Sequence, residues 1–459
     1  MNYDLVFYNK IHLFSRCIIA FTLTIIISGS AGAQETLTLS QAIQKGFLNR
    51  KSIQAGRSDE IISRLQTKAL YRRYWPQADI EYNYLYNPIL QTSILPIGIF
   101  NPAYSADATK SIQFGTKWSQ TAGLYVNLPL LDLSISRQIH EAKLQERIAA
   151  TGQAQTEYEL AYTVAQTYID ILIQQSRIRS AIADTNRTGI SYRLLQNRFD
   201  AQRLLKSDLN KGKINQNNTL QQLRNAMTQL IEDKVYLMFL IGVKDIEQPD
   251  ISIDTSFFGE SKLPISDIQH TGSIPELQQL DLKNEMATML SKTERAKYLP
   301  TLSLKGYLGA NQYTNNFDPT APNSWFGLSY VGIDLKYPLF SAEDKQKKIE
   351  QIRLQGVQYS EQKEDKASQY YKDGIVAKIK MELMLSQLKT QEENMTLSTE
   401  SITIIQARVL EGQESASTLN TEEANLKSLN AEYQISKKQY WQYFLDYLRA
   451  SGSLQILWQ

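Results

Sequence analysis

The stretch RAKYLPTLSLKGYLGA, residues 295 to 310, takes a basic segment with the marks of a helix end into Pro300. It then alternates apolar and polar residues at every second position. The same pattern stands much earlier, in RRYWPQADIEYNYLY from Arg72 to Tyr86. Each junction sets a tyrosine, a hydrophobe and a proline in a row: Tyr74-Trp75-Pro76 and Tyr298-Leu299-Pro300. Proline disfavours helix at the residue before it, so each triplet ends a helix. Period-two alternation then gives a strand two chemically different faces.

These junctions belong to a long-period duplication. GLYVNLPLLD (Gly123 to Asp132) corresponds to GIDLKYPLFS (Gly332 to Ser341), and RFDAQRLLKSDL (Arg198 to Leu209) to RVLEGQESASTL (Arg408 to Leu419). The offsets, 74 to 298, 123 to 332 and 198 to 408, are about 224, 209 and 210 residues. Each copy has one order: a helix, a strand pair, then a very long helical segment. The organisation expected is a first repeat over 34–242 with strands about 77–131, a linker over 243–266, and a second repeat over 267–459 with strands about 300–340.

In the first copy, Thr38 and Gln41 form a T-x-x-Q capping box. Ile43, Phe47, Ile61 and Leu65 supply an interrupted apolar stripe for a helix running to about Tyr74. The matching helix of the second copy is expected over roughly 267–297.

The strands suggest a membrane. In the last one Val331, Ile333, Leu335, Tyr337 and Leu339 oppose Gly332, Asp334, Lys336 and Pro338. In the one before it, Leu302, Leu304, Gly306 and Leu308 oppose Ser303, Lys305 and Tyr307. Leu124, Val126, Leu128 and Leu130 alternate with Tyr125, Asn127 and Pro129, and Ile80, Tyr82, Tyr84 and Tyr86 with Asp79, Glu81, Asn83 and Leu85. Alternation over about 9 to 11 residues, rich in tyrosine, fits a transmembrane barrel with lipid outside and water inside. A soluble sandwich has the same period, but four strands would make a very small one beside so much helix. Leu302, Leu304, Leu308, Val331, Ile333 and Leu335 would face lipid. The connections, about Asn87 to Gln113 and around NNFDPTAPNS, contain Pro88, Pro96, Pro102, Pro319 and Pro322 and read as irregular rim loops. Four strands cannot close a barrel, and an open edge in lipid leaves backbone groups unpaired. At least two protomers must therefore contribute.

After each strand pair comes a helical stretch, from about Ser134 to Asn197 and from about Ala342 to Ala407; Ser341 and Asp344 form an S-x-x-D cap on the second. Unbroken, either would be roughly 95 to 100 Å long. Each then turns and returns, ending at Gly242 and Gly452 as residues just past a helix C-terminus.

Composition excludes several function classes. The chain has 459 residues, 49 Lys+Arg against 47 Asp+Glu and a formal charge of +2, so bulk charge points to no nucleic-acid partner. The apolar run Cys17 to Ile27, after Lys10 and Arg16 and before Ala31-Gly32-Ala33, reads as a cleavable secretory signal over 1–33. About 11 apolar residues are too few for a membrane anchor. Cys17 is the single cysteine, and only His140 and His270 remain beyond the signal. Neither stands in a catalytic or metal-binding motif, and both read as solvated surface histidines. Phosphate loops and HExxH are absent. No catalytic residue, metal or cofactor is expected, and the chain does not read as an enzyme.

Taken together and in order, LTLSQAIQKGFLNR, the two Tyr-x-Pro junctions, the two Pro-Leu-[Leu/Phe] strand exits, FLIG and the paired arginine turns resemble the TolC-like outer-membrane efflux channel family over nearly all of the mature chain. The resemblance implies a homotrimer in which each protomer gives four strands to a twelve-stranded barrel, continued through the periplasm by helical hairpins. It implies a passive exit duct with a periplasmic membrane-fusion adaptor and an inner-membrane pump as partners, in outer-membrane lipid. The linker and C-terminal tail would lie around the waist of the helical barrel. The two arginine turns would be the adaptor-docking tips, carried by Arg198, Gln202, Asp208, Leu209, Arg408, Gly412 and Leu419. Family members carry glycine four residues after the arginine; Gly412 fits and Gln202 departs, which puts the first turn's geometry in question. An acidic residue shortly before the leucine rings the closed tunnel in some members. Asp208 matches, whereas Thr418 and Asn420 stand in the second copy, with Glu411, Glu414, Glu422 and Glu423 nearby. A periplasmic or surface coiled-coil scaffold without transport activity is the alternative, and a diffusion porin fits the strands but not the long helices.

Overall fold

The structure, a computed structural model, describes residues 36–97, 103, 105, 107–244, 251–254, 274–318, 320, 325–339 and 342–459. The expected signal over 1–33, most of the 243–266 linker, His270 and the Ser341 cap lie outside the described residues. Thirteen elements carry the fold: α1 Leu39–Asn49, α2 Lys51–Tyr71, β1 Gln77–Tyr86, β2 Gln91–Pro96, β3 Thr109–Phe114, β4 Trp118–Leu131, α3 Leu133–Asp200, α4 Lys206–Leu240, α5 Pro275–Ala296, β5 Thr301–Thr314, β6 Trp325–Lys336, α6 Ala342–Glu411 and α7 Ala416–Ser451. They fall into two compact units, one of Met1–Gln54, Glu157–Thr271 and Tyr370–Gln459, the other of Ala55–Thr156 and Gly272–Gln369.

The first unit is helical. Its core joins Tyr168, Leu172, Leu237, Leu445 and Leu454. The capping box forms: Thr38 N donates to Gln41 Oε1 at 3.0 Å and Gln41 N to Thr38 Oγ1 at 3.3 Å. Linker residue Ile253 bridges Leu37, and the Tyr168 hydroxyl donates to both Leu37 O and Asp254 O. Burial raises the pKa of that hydroxyl, keeping it a neutral donor. In the C-terminal tail Leu454 and Leu457 are buried, and Trp458 meets Phe47 edge-on at 5.6 Å.

One continuous helix to Tyr74 was expected; the chain instead breaks at Arg50, whose backbone is extended. The Arg50 guanidinium donates to Phe239 O at 2.7 Å and sits 3.8 Å from the Phe239 ring centroid. Beside this break Gly242 has φ +76°, and an added Cβ would come within 2.8 Å of Asn49. Beyond it, Ile61 and Leu65 are exposed, so the apolar stripe is a core feature only at Ile43 and Phe47.

In the second unit β1, β4, β5 and β6 form one antiparallel sheet in that order, leaving β1 and β6 as edges. Each expected strand is present. The connection expected to be irregular contains a separate hairpin, β2 paired with β3, in register from Gln91↔Phe114 to Pro96↔Thr109. Thr92, Ile94 and Ile112 favour extended backbone, and Gly115 takes φ +110° where the ribbon leaves β4. Helix α5 begins at Pro275 as its first residue, and α5 and α6 approach closely at Gly356, where an added Cβ would stand 3.4 Å from Ala287 Cβ. Lys363–Asp281 (2.7 Å) and Lys366–Glu276 (3.0 Å) tie the same pair of helices. His140 is exposed on α3.

Helices α3 and α6 contribute residues to both units. With 68 and 70 residues they are about 100 Å long. Among the described residues no helix is apolar enough over 18 residues to cross a membrane.

Candidate functional site

The sheet register sorts its side chains into two chemistries. On one face, rows run Leu124↔Leu308, Leu128↔Leu304↔Ile333 and Leu131↔Leu302↔Leu335, with Val126 and Val331 flanking Gly306. All six residues expected to face lipid share this face. Leu308, Val331, Ile333 and Leu335 are well exposed, while Leu302 and Leu304 are half-buried between their neighbouring strands. Gln120 and Gln312 interrupt the face, but both are buried and hydrogen-bonded to each other. The opposite face carries Asp79, Glu81, Asn83, Thr121, Asn127, Ser303, Lys305 and Asp334, with Lys305 Nζ bonded to Asp334 Oδ2 at 2.7 Å, and has apolar Leu85, Phe326 and Leu328 towards its Trp118 end.

Aromatic side chains mark both ends of the strands. Beyond the aliphatic rows Trp118 packs on Tyr84, Tyr86 and Phe317 at 5.2, 4.4 and 5.1 Å between ring centroids. At the helix–strand junctions Tyr74, Trp75 and Tyr337 are exposed, Trp75 by 70%, and Lys345 Nζ lies 4.9 Å from the Tyr298 ring centroid. The 10 residues of β1 rise roughly 33 Å, or about 23 Å at a tilt near 45°, close to the height of an outer-membrane apolar band.

Sequence reading alone does not bring out a tyrosine row on the polar face. The register sets Tyr125, Tyr307 and Tyr330 side by side on β4, β5 and β6. Ring centroids are 4.5 Å apart for Tyr125–Tyr307 and 5.6 Å for Tyr307–Tyr330. Tyr307 is only 4% exposed; its ring covers Gly123 and its hydroxyl covers Gly309, and an added Cβ at either glycine would overlap it. The signal lies in the two sequences GLY and YLG, Gly123-x-Tyr125 and Tyr307-x-Gly309, which only the strand register superposes.

In the first unit, the two arginine turns share one geometry. Arg203 N donates to Arg198 O and Gln202 N to Phe199 O, both at 2.8 Å; Gln413 N donates to Arg408 O at 2.9 Å and Gly412 N to Val409 O at 3.2 Å. Both are Schellman helix ends, in which the residue after the helix takes a left-handed conformation. Gly412 has φ +79° and Gln202 φ +55°, the latter alone among described non-glycine residues in being positive. The expected disturbance at Gln202 is therefore corrected: glutamine accepts the same turn, with the Cβ strain that glycine avoids.

The turns also meet. The Arg198 guanidinium donates to Val409 O at the end of α6, and its Nη2 lies 3.7 Å from a Cβ built on Gly412. Leu209 packs with Leu195 and Ala416, and Leu419 with Ile402, Val409 and Leu426. Both leucines are buried, so they anchor the turns from inside and offer no side chain to a partner. Leu205 and Leu410, missed as turn residues, are instead the exposed ones, at 71% and 65%.

Of the expected gate residues, Asp208 sits in the first turn of α4, 3.4 Å from Lys211 Nζ. Thr418 is engaged in capping α7, its N donating to Ser415 Oγ at 3.0 Å. The Asn420 amide has no hydrogen-bond partner among the described residues. The buried acid nearby is Glu423, which accepts from Ser191 Oγ and, at 2.8 Å, from Asn215 Nδ2. Gln406 Nε2 donates to the same Ser191 oxygen at 3.3 Å, so one hydrogen-bond network around this carboxyl joins four helices, α3, α4, α6 and α7. Burial raises the Glu423 pKa against the lowering effect of its hydrogen bonds. No group of acids or histidines among the described residues could hold a metal ion.

No family model and no curated protein sequence matches the chain. Solved structures do. The channel-forming protein CusC superposes with a TM-score of 0.73 at 15% identity, over 92% of this chain and 95% of its own. The outer membrane protein VceC of Vibrio cholerae gives 0.71 at 11%, over 90% and 96%. The open-state outer membrane channel MtrE of Neisseria gonorrhoeae gives 0.68 at 14%, over 91% and 89%. At such identities the likeness is one of architecture: the chain has the fold of the TolC-like outer-membrane channels.

Proposed function

We propose that the protein is the outer-membrane channel of a tripartite efflux pump or type I secretion system, a passive exit duct. The observation that carries this reading is the four-stranded sheet, with its aliphatic rows on one face, its charged residues on the other, and aromatic residues at both ends. Lipid outside and water inside require that division. The scaffold alternative gives no reason for it.

The open edges of β1 and β6 must pair in lipid, which calls for further copies of the chain. Three copies give twelve strands, and the homotrimer is the assembly proposed. The long helices are then the periplasmic part, and the Arg198 and Arg408 turns the place where a membrane-fusion adaptor docks, with the inner-membrane pump beyond it. Leu302, Leu304, Leu308, Val331, Ile333 and Leu335 face lipid. Export by a cleavable signal and the absence of catalysis belong to the same proposal.

The test is fractionation followed by reconstitution. The protein is expected in detergent extracts of the outer membrane as a trimer that conducts ions across planar bilayers. Recovery as a soluble periplasmic protein without conductance sinks the channel reading. Within the channel, Leu304→Arg is expected to cost roughly 2 to 4 kcal/mol of barrel stability, and Lys305→Arg close to nothing. Equal tolerance of both in trimer assembly reverses the face assignment.

A further inference from the structure

We propose that the polar face of the sheet carries a binding shelf for cationic aromatic molecules, built from Tyr125, Tyr307 and Tyr330. This rests on the channel reading, in which that face lines the pore.

The shelf is specifically made. Tyr307 lies over Gly123 and Gly309, where a side chain would collide with its ring at 2.3 Å and with its hydroxyl at 2.4 Å, respectively. With those hollows the central tyrosine packs down on the backbone; the Tyr330 ring lies within 24° of its plane, and the Tyr125 ring leans against it at 49°. The free ring area lies at the ends: Tyr330 is 49% exposed on the edge strand and Tyr125 is half-buried. Aromatic faces are electron-rich, so they attract cations as well as planar rings.

Charge around the shelf selects the same class. Asp79 stands directly opposite Tyr125 in the register, and Glu81 is opposite Gly123, both on this face. Neither is in an ion pair among the described residues. The cation of the same face next to the row, Lys305, is held by Asp334 at 2.7 Å and so offers little repulsion. Two free carboxylates beside three tyrosines favour a molecule with a positive charge and an aromatic plane. In a barrel of several protomers the shelf recurs once per protomer around the pore.

The experiment is ion current through purified trimer in planar bilayers, titrated with phenyltrimethylammonium and, separately, tetramethylammonium. The phenyl compound is expected to reduce the current at a concentration at least tenfold lower than its aliphatic counterpart. Tyr330→Leu, and Tyr125→Leu with it, should bring the two compounds to parity. Tyr330→Phe keeps the ring and should keep the preference, which separates loss of the shelf from damage to the barrel. Equal block of the wild type by both compounds, or a preference that survives Y125L/Y330L, overturns the shelf and leaves the channel standing. A wild-type trimer that passes no current overturns both readings together.

Discussion

The two arginine turns have the same hydrogen bonds and differ in what fills them. In one the left-handed position is Gln202, in the other Gly412, yet both close with the same pair of backbone bonds. Beyond the turns the copies diverge further. Glu423 is buried among four helices, while its counterpart at the 210-residue offset, Lys213, is exposed with its Nζ 4.8 Å from the Tyr192 ring centroid. The shared geometry is thus held by the backbone bonds and by one buried leucine per turn. The residue at positive φ sets only how much strain the turn bears.

Removing the leucines is the harshest way to break this equivalence. Leu419→Ala should destabilise the protein by about 2–5 kcal/mol, because the side chain is fully enclosed by Ile402, Val409 and Leu426. Leu209→Ala should fall at the lower end of that range, since half-buried Leu204 and Phe199 can collapse towards it. Denaturant unfolding of the detergent-solubilised protein reads both. A cost below about 0.5 kcal/mol for either would show that the turns stand without their anchors.

The second break is electrostatic and confined to one copy. Glu423→Ala strands Ser191 and Asn215 without an acceptor, at a cost of about 1–3 kcal/mol. Glu423→Gln tests the proton. Burial lifts the folded pKa above the ordinary value of 4.5, so between the two values the folded chain holds a proton that the unfolded chain has lost. This contribution is therefore fully present below 4.5 and is lost as the pH rises through the folded value. Melting temperatures across pH 4 to 8 should fall more for wild type than for Glu423→Gln. Parallel curves would mean that the carboxyl is ionised in place.

Much of this architecture is legible in the residues. Alternation at Leu302–Leu308 and Val331–Leu335, the proline junctions and the capping box at Thr38 each state a local rule that the packing obeys. The break at Arg50 is not legible, because it depends on Phe239, 189 residues away in sequence. The β2–β3 ribbon is masked by prolines, which are tolerated at the ends of edge strands. The tyrosine row and the Glu423 contacts arise only when strands or helices distant in the chain come into register. Leu209 and Leu419 look like surface turn residues until the second turn is set against the first.

Substitutions at the left-handed positions give the smaller effects. Gly412→Ala should cost about 1–2 kcal/mol through the backbone alone, since the nearest atom to an added Cβ, Arg198 Nη2 at 3.7 Å, is in ordinary contact. The reciprocal change, Gln202→Gly, should stabilise by only about 0.5 kcal/mol. Glycine relieves the strain at φ +55° but gives the unfolded chain more freedom to lose. The two numbers must differ in sign, and the first must be larger. If Gln202→Gly instead destabilises, the glutamine side chain holds the turn through contacts of its own, and the two copies are not equivalent at their tips. Thermal shifts of the two single variants and of Q202G/G412A, read in one detergent, decide between these outcomes.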